Sequence, residues 1–350
     1  MVLNVLKVFG LSALAFIVGI SLTPLLSHYL YKYKLWRKEV RSKAPDGKGT
    51  PIFAKMHKDR ETKVPRMGGI LIWVVPLVII YVFWLLALFD GPLFDKLNFL
   101  SRSQTWLPLF TLVAASLLGL VDDLWQTLGR GNYLAGGMRF SWRLALITLI
   151  AIVGALWFYF PLETNEIFIP FFGHIFLGWL FVPFFILVMI AMFSGSVIDG
   201  LDGLAGGVMA AIFAAYTGIA FFQNQIDLAA FCAVVMGAIA AFLWFNIPPA
   251  RFYMGETGIL GLTTSLTVVA FLTDAVAVLP IIALPLVLEA GSVVIQLISK
   301  KFFGKKVFLV APLHHHYEAI GWPSYKVTMR AWILSAVVAV VGMVIAIMGR

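Results

Sequence analysis

Five carboxylates stand in three short polar segments of a chain that elsewhere avoids charge. Asp122 and Asp123 end the run Gly119-Leu120-Val121-Asp122-Asp123. Asp199 and Asp202 frame Asp199-Gly200-Leu201-Asp202-Gly203. Glu256 lies in Met254-Gly255-Glu256-Thr257-Gly258, ten residues after Asn246. A fourth segment, Ala311-Pro312-Leu313-His314-His315-His316-Tyr317-Glu318, carries half of the six histidines. Clustered carboxylates beside a basic surface suit Mg²⁺ and a pyrophosphate, because this hard cation takes one or two carboxylates together with waters and phosphate oxygens. The chemistry expected of such a site is metal-assisted phosphoryl transfer, in which the protein positions the reactants and neutralises the transferred group. An attacking phosphate monoester, with a second pKa near 6, is already largely dianionic at neutral pH. Metal binding is therefore weighted above general-base catalysis.

Each segment also has a plainer reading. An acidic pair at a helix end serves as a solvated terminus or an ion-pair partner, and Asp199 and Asp202, at i and i+3, share a helix face or cap the next helix. Three histidines could ligate zinc, but no cysteine accompanies them and adjacent helical residues point about 100° apart; hydrogen bonding near phosphate suits them better. The only cysteine, Cys232, lies in an apolar run, so no intramolecular disulfide is available. Weight comes from convergence, since separate segments deliver carboxylates, an asparagine and histidines to one membrane face. A transporter would carry such groups near the midplane on broken helices of repeated halves. Here they fall at expected helix ends, and no repeat is evident.

The elements that position them are set by composition. The 350 residues are 61% hydrophobic and 12% charged, with a mean hydropathy of +0.95, more apolar surface than a soluble domain of this length buries. A spanning helix needs about 20 apolar residues. Ten runs qualify, near 3–27, 68–89, 105–121, 142–160, 175–193, 203–222, 228–245, 258–275, 276–298 and 332–349, with the eighth and ninth divided only by Asp274. They are continuous, not alternating, which excludes a transmembrane β-barrel. The expected fold is an all-α polytopic membrane protein forming one domain over 1–350. The first run lacks a clear cleavage site and ends in Tyr29, Tyr31 and Lys32, as a retained anchor does.

Charge gives the orientation. Of 26 Lys and Arg, twelve lie in 28–67, and Arg130, Arg139, Arg143, Arg251, Lys300, Lys301, Lys305, Lys306, Lys326 and Arg330 share their face. Only Lys7, Lys96, Arg102 and Arg350 fall opposite. The positive-inside rule then places both termini outside and the segments 28–67, 122–141, 194–202, 246–257 and 299–331 on the cytoplasmic, active-site face. Most of this basic charge is read as fixing topology and touching membrane lipid, not nucleic acid. The run Ala44-Pro45-Asp46-Gly47-Lys48-Gly49 is expected to be irregular and mobile.

At these residues the sequence resembles the phospho-N-acetylmuramoyl-pentapeptide transferases, over nearly its whole length. The likeness rests on Met67-Gly68-Gly69, Asp122-Asp123, Asp199 through Ala205, Asn246 through Gly258, and Glu289-Ala290-Gly291-Ser292-Val293-Val294-Ile295-Gln296. Its most specific part is the triple-histidine segment with Gly321-Trp322-Pro323 following. The resemblance implies transfer of phospho-N-acetylmuramoyl-pentapeptide from its UDP carrier to undecaprenyl phosphate with release of UMP and need of Mg²⁺, in a bacterial cytoplasmic membrane. It implies Asp122 and Asp123 at the reaction centre, Glu256 at the metal with Asp122 and Asp123 as its further candidate ligands, and Asp199, Asp202 and Asn246 around nucleotide and phosphates. His314, His315 and His316 would line the cleft, and Glu289 and Gln296 would be supporting or substrate contacts, with Pro285 kinking their helix. Lys63, Arg66, Arg139 and Arg143 are the candidate phosphate contacts. The family usually has Asp at the position of Glu256, Asn at that of Ser196, and Thr-Pro-Thr where Val64-Pro65-Arg66 stands. That last segment is similar to the wider group of polyprenyl-phosphate N-acetylhexosamine-1-phosphate transferases, the alternative reading. A homodimer is left open by the sequence.

Overall fold

The computed structural model describes residues 1–38, 62–88, 92–101, 103–129 and 137–350. Much of the first basic loop, including 44–49, and the segment 130–136 with Arg130 lie outside the described residues. In chain order the helices are α1 (Val2–Lys32), α2 (Ile70–Ala87), the short α3 (Pro92–Leu97), α4 (Trp106–Leu128) and α5 (Phe140–Tyr159). A hairpin of β1 (Glu166–Ile169) and β2 (Gly173–Phe176) follows. Then come α6 (Phe181–Ser194), α7 (Leu204–Phe222), α8 (Ile226–Asn246), α9 (Glu256–Leu272), α10 (Val276–Ile282), α11 (Leu284–Phe302), α12 (Leu313–Ala319) and α13 (Ser324–Met348).

The all-α polytopic fold expected from hydropathy is present. Among the described residues eight helices are long and apolar enough to cross a membrane, and α10 with α11, bent by 79° at their break, forms a broken span or a re-entrant loop. The bend falls at Ala283, two residues before Pro285, whose ring supplies no N–H to the ladder. The eighth expected span, α9, is only 17 residues long. At 1.5 Å per residue it is about 25 Å, short of the hydrocarbon thickness. It needs no more, because Thr257 through Phe271 are all buried. This helix packs chiefly on α4 and also on α2, α6 and α7, and protein meets both of its ends. At its C-terminus Gln223 Nε2 and Arg350 Nη2 donate to the Thr273 carbonyl, at 2.9 and 2.8 Å, and Gln225 Nε2 donates to that of Leu272 at 2.9 Å. These are carbonyls that a helix leaves unpaired.

Small residues let α4 lie directly on α9. A Cβ at Gly119 would collide with the Glu256 backbone, and one at Gly261 with Ser116 Oγ. The last turns of α4 are thereby set beside the first turn of α9. At the far end of the bundle Lys7 Nζ pairs with Asp227 Oδ1 at 2.6 Å and donates to the Asn98 carbonyl at 2.8 Å. Arg350 sits there too, against Thr273, so Lys7 and Arg350 both lie at the end opposite Glu256.

Three expectations change. The third run does not stop at residue 121: α4 continues to Leu128 and carries Asp122 and Asp123 within its last turns. The segment 299–331 is largely helical, holding the end of α11, all of α12 and the start of α13. The β-hairpin, paired from Glu166↔Phe176 to Ile169↔Gly173, was not foreseen, because its eight residues lie between and at the edge of apolar runs.

Candidate active site

The site begins where α4 meets α9. Asp123 is fully buried. Its Oδ2 accepts the Thr257 N–H at 3.0 Å, so the carboxylate caps the α9 N-terminus from outside that helix, where the dipole favours negative charge. Its Oδ1 accepts Arg66 Nε at 3.2 Å. Arg66 is delivered by backbone pairing between two segments far apart in sequence: Tyr253 N–H donates to the Pro65 carbonyl, Gly68 N–H to that of Tyr253 and Gly69 N–H to that of Met254, at 2.8 to 2.9 Å. Gly69 is required there, since a Cβ would run into the Gly258 and Met254 backbone.

One turn of packing away, Asp122 accepts the Met138 N–H on Oδ1, and Gln126 Nε2 at 3.0 Å on Oδ2. Arg143 Nη1 reaches the same Oδ2 at 3.3 Å and Glu256 Oε1 at 2.9 Å. A single guanidinium nitrogen thus touches both carboxylates. Arg37, itself buried, donates from Nε to Gln126 Oε1 at 2.9 Å.

The Asp199 to Gly203 turn closes the next wall. Asp199 Oδ2 accepts the Gly255 N–H at 3.1 Å, and Asp202 Oδ2 that of Ala250 at 3.2 Å. Asn246 Oδ1 accepts the Gly203 N–H at 3.0 Å while its Nδ2 donates to the Phe252 carbonyl at 2.8 Å. Its amide ties the two loops together.

The triple histidine lies on α12, and its rings take three different partners, as helical geometry requires. His314 Nδ1 is 2.9 Å from Glu289 Oε2 on α11, with its Nε2 buried against Gly200. His315 Nδ1 is 2.8 Å from Glu318 Oε2, whose other oxygen accepts Ser324 Oγ. His316 Nδ1 accepts the Leu309 N–H at 3.3 Å. Gln296 accepts the N–H groups of Val307 and Phe308, both at 3.0 Å, and donates to the Phe308 carbonyl, so it clamps the segment leading to α12.

The structure therefore brings Asp122, Asp123, Glu256, Arg66, Arg143, Asp199, Asp202 and Asn246 into one hydrogen-bonded assembly, with His314 and Glu289 at its Gly200 edge. Arg139 and Lys63 are exposed near its rim. Among the described residues no three His, Cys, Asp or Glu side chains already form a metal cage. Asp122 and Glu256, which share Arg143 Nη1, are the carboxylates whose chemistry would suit a divalent cation, while Asp123 has both oxygens engaged by Arg66 and Thr257. Sequence reasoning did not single out Arg37 or Gln126. The available signal was spacing, since Gln126 is i+4 from Asp122 and faces it on one helix side.

Fold and site together define a multi-pass helical membrane protein with a recessed carboxylate–guanidinium centre at one end of its bundle. The profile of glycosyl transferase family 4 matches residues 105–274, which hold Asp122, Asp123, Asp199, Asp202, Asn246 and Glu256. Similar proteins include a phospho-N-acetylmuramoyl-pentapeptide-transferase of Geobacillus sp. (strain WCH70), 35% identical over 341 residues that cover 95% of each chain. Another from Pelagibacter ubique (strain HTCC1062) is 33% identical over 82% of this chain and 81% of its own. One from Anoxybacillus flavithermus (strain DSM 21510 / WK1) is also 33% identical, over 95% of this chain and 96% of its own. The chain belongs to the phospho-N-acetylmuramoyl-pentapeptide transferases.

Proposed function

We propose that the protein transfers phospho-N-acetylmuramoyl-pentapeptide from its UDP carrier to undecaprenyl phosphate, with UMP as the leaving group, at the cytoplasmic face of a bacterial membrane. The observation that carries this is the contact of one Arg143 nitrogen with both Asp122 and Glu256. Carboxylates held around a positive charge at the end of a membrane bundle suit a reaction in which phosphates must be gripped and their charge neutralised. Membership of the family and the basic bias of this face support the donor and the orientation.

Glu256 and Asp122 would hold Mg²⁺, which when bound supplies charge neutralisation of the pyrophosphate. Arg66 and the Thr257 N–H each take one oxygen of Asp123 and so orient its carboxylate on the α9 N-terminus, beside Glu256. Arg143 is placed to follow charge as it develops, being in reach of two carboxylates and hence of any phosphate they recruit through a cation. Asp199 and Asp202 hold the 250–255 turn, and Asn246 sets the separation of that turn from Gly203. Glu289 orients the His314 ring, so that Nε2 addresses the Asp199-Gly200 turn.

The test is UMP release by purified protein supplied with Mg²⁺, undecaprenyl phosphate and either UDP-N-acetylmuramoyl-pentapeptide or UDP-N-acetylglucosamine. Release with the first donor is expected. Release with the second alone would transfer the protein to the N-acetylhexosamine-1-phosphate enzymes, and release with neither would overturn the reading.

A further inference from the structure

Arg37 is an unusual residue to bury. It is 3% exposed, follows α1 by five residues, and lies in a segment that carries none of the acidic clusters. Burying a guanidinium costs several kcal/mol unless its hydrogen bonds are well placed. Its Nε and Nη2 both donate to one acceptor, Gln126 Oε1. This double contact decides which end of the Gln126 amide faces which way: with Oε1 held by two donors, Nε2 must point along the other direction. There it donates to Asp122 Oδ2 at 3.0 Å. Gln126 is itself 4% exposed and Asp122 1%.

Asp122 also accepts the Met138 N–H on Oδ1 and meets Arg143 Nη1 on Oδ2. Arg143 also serves Glu256. If Arg143 swings toward Glu256 or toward a substrate phosphate, Gln126 remains on Oδ2 and, with the Met138 N–H on Oδ1, holds the carboxylate plane. A neutral amide suits this task. It donates to the carboxylate and fixes its plane without adding a formal charge that would compete with a cation or phosphate for it.

We propose that Arg37 and Gln126 are positioning residues: Arg37 locks the Gln126 amide in the orientation that holds the Asp122 carboxylate for the reaction. This rests on the reading of Asp122 as part of the reaction centre. A purely structural role for Gln126, as an acceptor that satisfies buried Arg37, makes a different prediction, and one substitution separates the two.

Gln126→Glu keeps an acceptor for Arg37, indeed a charged one, but replaces the donor to Asp122 with an oxygen. Its attraction to Arg37 is offset by repulsion from Asp122, so thermal unfolding in detergent should move down by a few degrees at most while the protein stays folded. UMP release should fall roughly 10- to 100-fold in kcat, the scale of one hydrogen bond to a charged group, with KM for the donor within about threefold of wild type. Arg37→Lys should retain part of the rate, since an ammonium still holds Oε1, whereas Arg37→Met should approach the Gln126→Glu value. The ratios are taken with whichever UDP-sugar the wild type turns over. Failure of the donor assignment is then visible in the wild type alone, and failure of the relay in the variants alone. A folded Gln126→Glu protein with wild-type kcat would overturn the proposal, as would a KM rise that accounts for the whole loss. A wild type inert with every donor would overturn both readings.

Discussion

Removing the guanidinium that faces Asp123 gives the sharpest test of how the site is held. Asp123 has no solvent exposure, and the Arg66 side chain retains only 10% of its own. In Arg66→Met the carboxylate keeps the Thr257 N–H, at 3.0 Å, but loses the guanidinium paired with it. Breaking a buried pair from one side costs about 3–5 kcal/mol, because a charge is left uncompensated. The surviving helix N-terminus places this case near about 3 kcal/mol. Adding Asp123→Asn should restore most of that. The amide oxygen can still accept the Thr257 N–H, and no buried charge remains, so the double variant should return to within about 1 kcal/mol of wild type. The assay is reversible unfolding in mixed detergent and SDS micelles, read by tryptophan fluorescence, alongside UMP release. Both variants should be nearly inactive while only the single one is unstable. An Arg66→Met protein that unfolds at the wild-type SDS fraction would refute the pairing as a determinant of the fold here, and an active double variant would remove Asp123 from the reaction centre.

For Glu256, Ala and Gln substitutions are expected to lose nearly all activity, while Asp retains some and shifts the Mg²⁺ concentration giving half-maximal rate; a Gln variant with normal rate and Mg²⁺ response would make Glu256 only the first residue of α9. Single alanine substitutions on α12 should order by burial and partner, with His314 the most severe because it alone joins Glu289 to the Gly200 turn and His316 the mildest; equal, full activity in all three would leave the segment a structural one. Cysteines introduced at Lys305 and Ser324 should react with an impermeant thiol reagent only from the cytoplasmic side, and labelling of either on intact cells would reverse the orientation.

What could be read in advance follows from the solvent. A bilayer penalises charge so strongly that each carboxylate near a helix end is conspicuous, and Asp122, Asp123, Asp199, Asp202 and Glu256 could be gathered on one face from hydropathy and charge bias alone. Their partners could not. Arg66 lies 57 residues from Asp123 and Arg37 lies 89 from Gln126, separations on which helical periodicity is silent. The same holds for Asn246 and Gln296, whose amides are tied to backbone groups that only folding brings near. The 17-residue length of α9 was hidden for another reason. Hydropathy does not distinguish a helix facing lipid from one enclosed by other helices, and an enclosed helix is free of the length that a bilayer imposes.

The Arg143 bridge has a consequence for the order of events. When ionised, Asp122, Asp123 and Glu256 match in number the guanidiniums of Arg37, Arg66 and Arg143, which are linked to them through the bonds described above. In that state this group of six side chains is balanced, with Asp199 and Asp202 on the neighbouring wall. A divalent ion arriving alone would leave it strongly positive, and a nucleotide pyrophosphate arriving alone strongly negative. Either excess is costly in a recess with little water. Entry of the two as one nearly neutral complex avoids both, so the saturation curves for metal and donor should be mutually dependent, each steepening as the other is raised.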